Sequence, residues 1–227
     1  MKHIALAIFI LSLIYTVSAM EMNLQDIWYN RSVADLQNGS YPQALQNINT
    51  SLEQNPEDYT SWHLKVFILL KMGRYDTALS TLGESLAING SDSVFWNDQG
   101  LLQANYLGDY NSSIGSLDRS IKLNPSNAMT YYNKGTVLKK MGKYNDSLEL
   151  FESAIRLRPN LLDAWYQKGL AYSALKQYED ALKCFEKATE LDQTFKPAWA
   201  NKGDALKALG RDADSKIAYS MAGKTDP

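Results

Sequence analysis

The sequence predicts an all-α chain: a solenoid of six stacked helix–turn–helix units behind a short N-terminal leader. Two observations carry this. An aromatic residue returns at Trp28, Trp62, Trp96, Tyr131, Trp165 and Trp199, at a nearly constant interval of about 34 residues that lengthens by one position only between Trp96 and Tyr131. Between those marks, apolar and small residues fall twice at helical spacing, with a short turn between the two stretches. Such a period marks a supersecondary unit that cannot bury its own apolar face and must lean on its neighbour.

In chain order, the segment 1–19 stands apart. Lys2 precedes an apolar run from Ile4 to Val17 relieved only by Ser12, Tyr15 and Thr16, and Val17-Ser18-Ala19 supplies small residues ahead of Met20. This pattern reads as a secretory signal peptide over residues 1–19. The alternative is an uncleaved membrane anchor through residues 4–17, although that run is short against the roughly 17–25 residues of a spanning helix. Either reading places the remainder outside the cytoplasm, secreted or at the cell surface.

The repeat region runs over 23–227, with units at about 25–58, 59–92, 93–127, 128–161, 162–195 and 196–227. In the fifth, Trp165, Lys168, Gly169 and Tyr172 define one helix, Lys176-Gln177 a turn, and Tyr178, Ala181, Phe185 and Ala188 a second helix. The small residues Gly169, Ala181 and Ala188 let the backbones approach, while Trp165, Tyr172 and Phe185 fill the space beside them. The third unit has one extra residue between Gly100 and Tyr110, which is expected to lengthen the turn inside that hairpin.

The set W-x2-K-G-x2-Y, then Y-x2-A and F-x2-A, with Pro125 or Pro159 before the next unit, resembles the tetratricopeptide repeat, a helix–turn–helix module of about 34 residues. The resemblance implies a right-handed superhelix that binds polypeptides along a groove lined by the first helix of each unit. It departs from the family pattern at Arg31, Lys65, Lys134, Lys168 and Lys202, where a leucine is common, so the alkyl stem must pack while the cationic end snorkels outward. The family's groove slots fall on Tyr29, His63, Phe67, Leu101, Tyr132, Lys139, Tyr166 and Leu170, an aromatic and aliphatic lining suited to an extended peptide or amphipathic helix. Packing between adjacent first helices is the competing role for each. No window rebuilds the lysine and asparagine set with which some family members clamp a terminal carboxylate.

Composition excludes several classes. Net charge is −2 overall, and residues 20–126 carry 12 acids and 6 bases while 127–227 carry 13 acids and 16 bases, far from the basic bias of a nucleic-acid binder. His63 is the one histidine after the leader, so neither a histidine-pair metal site nor a histidine-assisted nucleophile can be assembled. Gly135 to Gly142-Lys143 has six residues between its glycines where a phosphate loop needs four. No cofactor, metal or catalytic residue is expected. Cys184 is alone and reads as a small apolar side chain.

Asn-x-Ser/Thr triplets begin at Asn30, Asn38, Asn49, Asn89, Asn111 and Asn145. They are either glycan acceptors on an exported protein or the ordinary crowding of Asn, Ser and Thr at turns and caps. The function expected is a non-catalytic scaffold that binds a polypeptide outside the cytoplasm. The alternative is self-association, end to end between the acidic and basic halves or through Ile217, Tyr219 and Met221 of the last helix.

Overall fold

The computed structural model describes residues 27–223. The expected leader, residues 20–26 and residues 224–227 lie outside them. Among the described residues there are twelve α-helices and no strand. They divide into two compact units, one ending at Phe95 and one beginning at Trp96.

The first unit contains α1 (residues 27–37), α2 (Tyr41–Gln54), α3 (Tyr59–Lys71), α4 (Tyr75–Ile88) and the start of α5 (Ser93–Leu102). The second contains the rest of α5, a π-helical turn (Gln103–Leu107), and α6 (Tyr110–Leu123) through α7 (Ala128–Lys140), α8 (Tyr144–Leu157), α9 (Leu162–Ala174), α10 (Tyr178–Leu191), α11 (Lys196–Ala208) and α12 (Asp212–Ala222). Within each unit consecutive helices pack in pairs, α3 on α4, α7 on α8, α9 on α10, α11 on α12, and each pair packs on the next.

The helix ends follow from short polar side chains. The Asp58 carboxylate accepts from the Thr60 and Ser61 amides at 3.2 and 3.3 Å, Asp92 from Val94 and Phe95 at 2.8 and 3.2 Å, and Asn127 from Met129 at 3.1 Å. Each satisfies amides that the first helical turn leaves without an intrahelical partner. Between repeats, Asn55, Asn89, Asn124 and Asp192 each accept from the amide two residues on, at 3.2, 3.1, 3.2 and 2.8 Å. Inside each hairpin the turn is a single left-handed residue; five of the six are glycine, and Lys176 at φ 60° is the exception.

The extra residue of the third repeat does not lengthen that turn. The stretch from Trp96 to the left-handed Gly108 is one position longer than that from Tyr131 to Gly142, yet Asp109 follows Gly108 and opens α6 as Lys143 follows Gly142 and opens α8. The surplus is absorbed upstream, where Gln103–Leu107 widens to a π turn. An insertion within a helix disturbs one turn of hydrogen bonding, whereas a longer hairpin loop would shift α6 against its partner.

The ruler aromatics are not the deepest part of the core. Trp28, Trp96, Tyr131, Trp165 and Trp199 are half-buried, while Phe151, Phe185 and Tyr219 on the second helices are enclosed. Opposite each of these three rings sits a glycine on the first helix of the same hairpin. A Cβ built on Gly135, Gly169 or Gly203 would lie 2.8, 2.6 or 2.6 Å from ring carbons of Phe151, Phe185 and Tyr219 respectively. Where the second-helix partner is aliphatic the first-helix slot varies: Ser32 with Ile48, Val66 with Leu82, and Gly100 with Leu117, where a Cβ would lie 2.7 Å from Leu117 Cγ. Tyr219 is therefore core and not the surface residue expected: its ring fills the α11–α12 contact and its hydroxyl donates to Asp204 at 2.8 Å.

Trp62, Trp165 and Trp199 instead tie α3, α9 and α11 to the linkers before them. The indole N–H of Trp62, Trp165 and Trp199 donates to the carbonyl six residues upstream, on Pro56, Pro159 and Gln193, at 2.7, 2.9 and 2.8 Å. The neighbouring basic residue does more than snorkel. Arg31, Lys65, Lys168 and Lys202 place their charge over the Trp ring three residues back, 4.7 to 5.6 Å from its centre. Lys134, Lys168 and Lys202 also meet Asp118, Glu152 and Glu186, which hold matching places on the preceding second helices. The slot thus couples adjacent repeats by stacking and charge together.

Cys184 is buried in α10, and that burial, opposed by Lys168, pushes its thiol up to about 11. At pH 8 roughly one such thiol in a thousand is ionised. A thiol reagent is expected to leave the native chain unmodified for hours and to label it at one site once urea unfolds it; rapid native labelling would contradict the burial.

Candidate protein-binding face

Side chains on the first helices α1, α3, α5, α7, α9 and α11 fall into two sets. The first set joins neighbouring repeats. Asn133 donates to Asn97 at 2.9 Å, and Asn201 to the Tyr166 hydroxyl at 3.1 Å. Tyr132 occupies the corresponding place between α7 and α9, in hydrogen-bond reach of Gln167. Burial, with the Asp163 charge behind it, raises the Tyr132 hydroxyl above the usual phenol range, and burial does the same for Tyr166. Their rings pack on Phe151 and on Phe185 and Phe195. His63 stacks on Phe95 with ring centres 3.9 Å apart, its Nε2 3.8 Å from Asp92. Tyr29 packs on the Ala44, Ile48 and Ile68 cluster, and Leu170 on that of Leu182 and Phe185. Leu101 is half-buried.

The second set faces outward. In the first unit Phe67 is 46 % exposed with the Lys71 ammonium 5.2 Å from its ring centre, and Val94 is 45 % exposed. In the second unit Lys139 and Lys140 end α7. Among the described residues neither has a carboxylate within ion-pair distance; Lys140 donates to Asn105 at 2.8 Å on the π turn. Partial burial, and then Lys140 beside it, holds the Lys139 ammonium below its usual range. Sequence reasoning grouped Phe67 and Lys139 with Tyr132 and Tyr166, because all occupy first-helix slots. Telling them apart needed the neighbouring repeat's residue at each contact.

The six Asn-x-Ser/Thr triplets divide as well. Asn30, Asn38, Asn89, Asn111 and Asn145 are exposed; Asn49 is half-buried, with its side-chain oxygen enclosed and lacking a hydrogen-bond partner. The serines that complete four of them are core groups. Ser32 donates to the Ala44 carbonyl at 2.8 Å, Ser113 to Gly100 at 2.7 Å and Ser147 to Tyr144 at 2.7 Å, and Ser51 pairs with Ser61 at 3.1 Å. Those hydroxyls occupy slots where helices meet closely, so packing alone accounts for them.

Residues 128–161 and 162–195, the hairpins α7–α8 and α9–α10, match the tetratricopeptide repeat. These segments are tetratricopeptide repeats. Elsewhere, α11–α12 repeats the glycine, tryptophan and lysine contacts and α3–α4 the last two, and the fold is that of the same family. No curated protein matches the chain. Among solved structures, PilW, described as a widely conserved type IV pilus biogenesis factor, superposes with a TM-score of 0.75 at 17 % identity over 87 % of this chain and 91 % of its own. MamA from Desulfovibrio magneticus RS-1 does so with a TM-score of 0.66 at 26 % identity, covering 71 % and 91 %. YrrB, described as a tetratricopeptide-repeat protein with an unusual peptide-binding site, gives 0.64 at 20 %, covering 77 % and 90 %. Among the described residues no cluster of His, Cys, Asp and Glu is disposed to hold a metal, and no helix is long and apolar enough to cross a membrane.

Proposed function

We propose that the chain is a non-catalytic scaffold that binds a polypeptide segment on its first-helix faces, outside the cytoplasm. The observation that carries the binding reading is the set of outward groups left after the repeats have packed: Phe67 with Lys71 in one unit, and Lys139 with Lys140 in the other. A large ring held beside a cation, and an ammonium pair with no carboxylate within ion-pair distance among the described residues, suit apolar and acidic side chains of a partner. A peptide-binding site in YrrB, a protein of the same fold, is consistent with this use. The apolar N-terminal run, and the triplets at Asn38 and Asn89 whose serines are not core groups, support export.

The test is affinity capture of the exported protein from its own host. Phe67→Ala and the pair Lys139→Glu/Lys140→Glu are compared with Tyr132→Phe as a structural control. Phe67→Ala is expected to weaken the captured polypeptide by about 2 kcal/mol, roughly 30-fold in Kd. Charge reversal should abolish capture of an acidic client while the helical signal is retained, with a small drop in Tm from the lost Lys140–Asn105 hydrogen bond and the partial burial of Lys139. Retention by both variants moves the binding surface off the first helices. Intact mass of the same sample lacking residues 1–19 supports cleavage of the leader; a full-length mass supports the anchor.

A further inference from the structure

We infer that the outer face of α12 is a self-association surface on which a second copy of this chain docks α12 against α12 in antiparallel fashion. Ile217 and Met221 are 63 % and 50 % exposed. Ile217 occupies the slot that the five earlier second helices fill with Gln46, Ser80, Gly115, Glu149 and Lys183, all exposed. Met221 occupies that of Thr50, Glu84, Arg119, Ser153 and Lys187. The Ile217 slot stays open to solvent even where another repeat follows, as at Glu149 and Lys183, so continuing the solenoid would not cover it.

The stacking face of α12 changes in the opposite sense. Leu45, Ile114 and Leu182 pack into clusters with first-helix residues of the following repeat, such as Ile68, Val137 and Leu206. The matching slot in α12 is Lys216, exposed, and the slot of Leu52 and Ile155 is Gly223. The apolar stripe of α12 has therefore moved from the stacking face to the outer face. It adjoins a cavity of about 230 Å³ whose lining is half apolar, Trp199, Leu206, Ile217 and Ala218, and half charged, Glu186, Lys202, Arg211 and Asp214.

The stripe is complementary to itself. Ala213, Ile217 and Met221 stand at i, i+4 and i+8 on α12, one face of a helix. Two such helices running antiparallel about Ile217 bring the two isoleucines together and set Ala213 against the partner's Met221, small against large, as an isologous interface requires. The charges agree: Asp214 is already paired with Arg211 at 2.7 Å and would face the partner's Ser220, so no like charges are brought opposite, and the helix dipoles oppose.

One helix face is a small interface, so the dimer is expected to be of micromolar strength. Sedimentation equilibrium of the full chain from about 1 to 300 μM should show a monomer–dimer equilibrium insensitive to salt, as expected of an apolar seam with few charges. Ile217→Glu/Met221→Glu should raise the dimer Kd at least 100-fold without lowering the Tm of the monomer. A mixture of Ala213→Cys and Met221→Cys chains should cross-link on oxidation, while Met221→Cys alone should not; buried Cys184 does not interfere. A monomer throughout the range, a dimer dispersed by salt, or Met221→Cys cross-linking with itself would each overturn the proposal.

Discussion

Phe185→Ala is expected to cost about 3–5 kcal/mol, because the ring is fully enclosed and its removal leaves a cavity ringed by residues that cannot collapse into it. The cavity wall includes the Gly169 backbone, which has no side chain to move inward, and Ala181, Leu182, Ala205 and Leu206 around it. Stability in a repeat array is close to a sum of repeat and neighbour terms, so the loss should be local at first. Urea unfolding followed by hydrogen exchange should show α9 and α10 opening earlier, with protection of α2 to α4 retained. A uniform loss of protection across the chain would mean that the repeats unfold as one cooperative unit.

Gly169→Ala is expected to lower stability by about 1–3 kcal/mol even though alanine is the better helix former by about 1 kcal/mol. The added methyl would lie 2.6 Å from Phe185 Cε1, and a ring that already fills its site has no rotamer to retreat into. The same steric account predicts the rescue. Gly169→Val combined with Phe185→Leu reproduces the Val66 and Leu82 pairing of α3 and α4, so the double variant should be more stable than the sum of its single changes by about 1–2 kcal/mol. Additive losses in a denaturant double-mutant cycle would show that the methyl and the ring do not meet.

Much of this was legible in the chain. The fixed interval of Trp28 to Trp199 specifies helix pairs, and the break between the two helical spacings of the fifth unit specifies the turn at Lys176-Gln177, because periodicity is a local property. The turn at Lys176-Gln177 was legible from spacing, but its left-handed backbone was not: Lys176 takes a φ of 60° where the other five hairpins have glycine. The π turn was not legible. One surplus residue can be taken up in a loop or in a helix, and the choice depended on keeping α6 in register with α5, visible only in the contact of Gly100 with Leu117 and Ser113.

For the candidate site, the sequence by itself determined which slots line the first helices and which residues occupy them. It also determined that a single histidine, His63, follows residue 19, too few for a histidine pair. Tertiary structure alone decided what each slot is for. Tyr132, Tyr166 and His63 are taken up by the next repeat, Phe67 and Lys139 remain outward, and Tyr219 turns inward while Ile217 and Met221 turn out. The reason is that a helical period fixes a side chain's angular position but not the neighbour waiting there, and in a stack that neighbour comes from a repeat about 34 residues away.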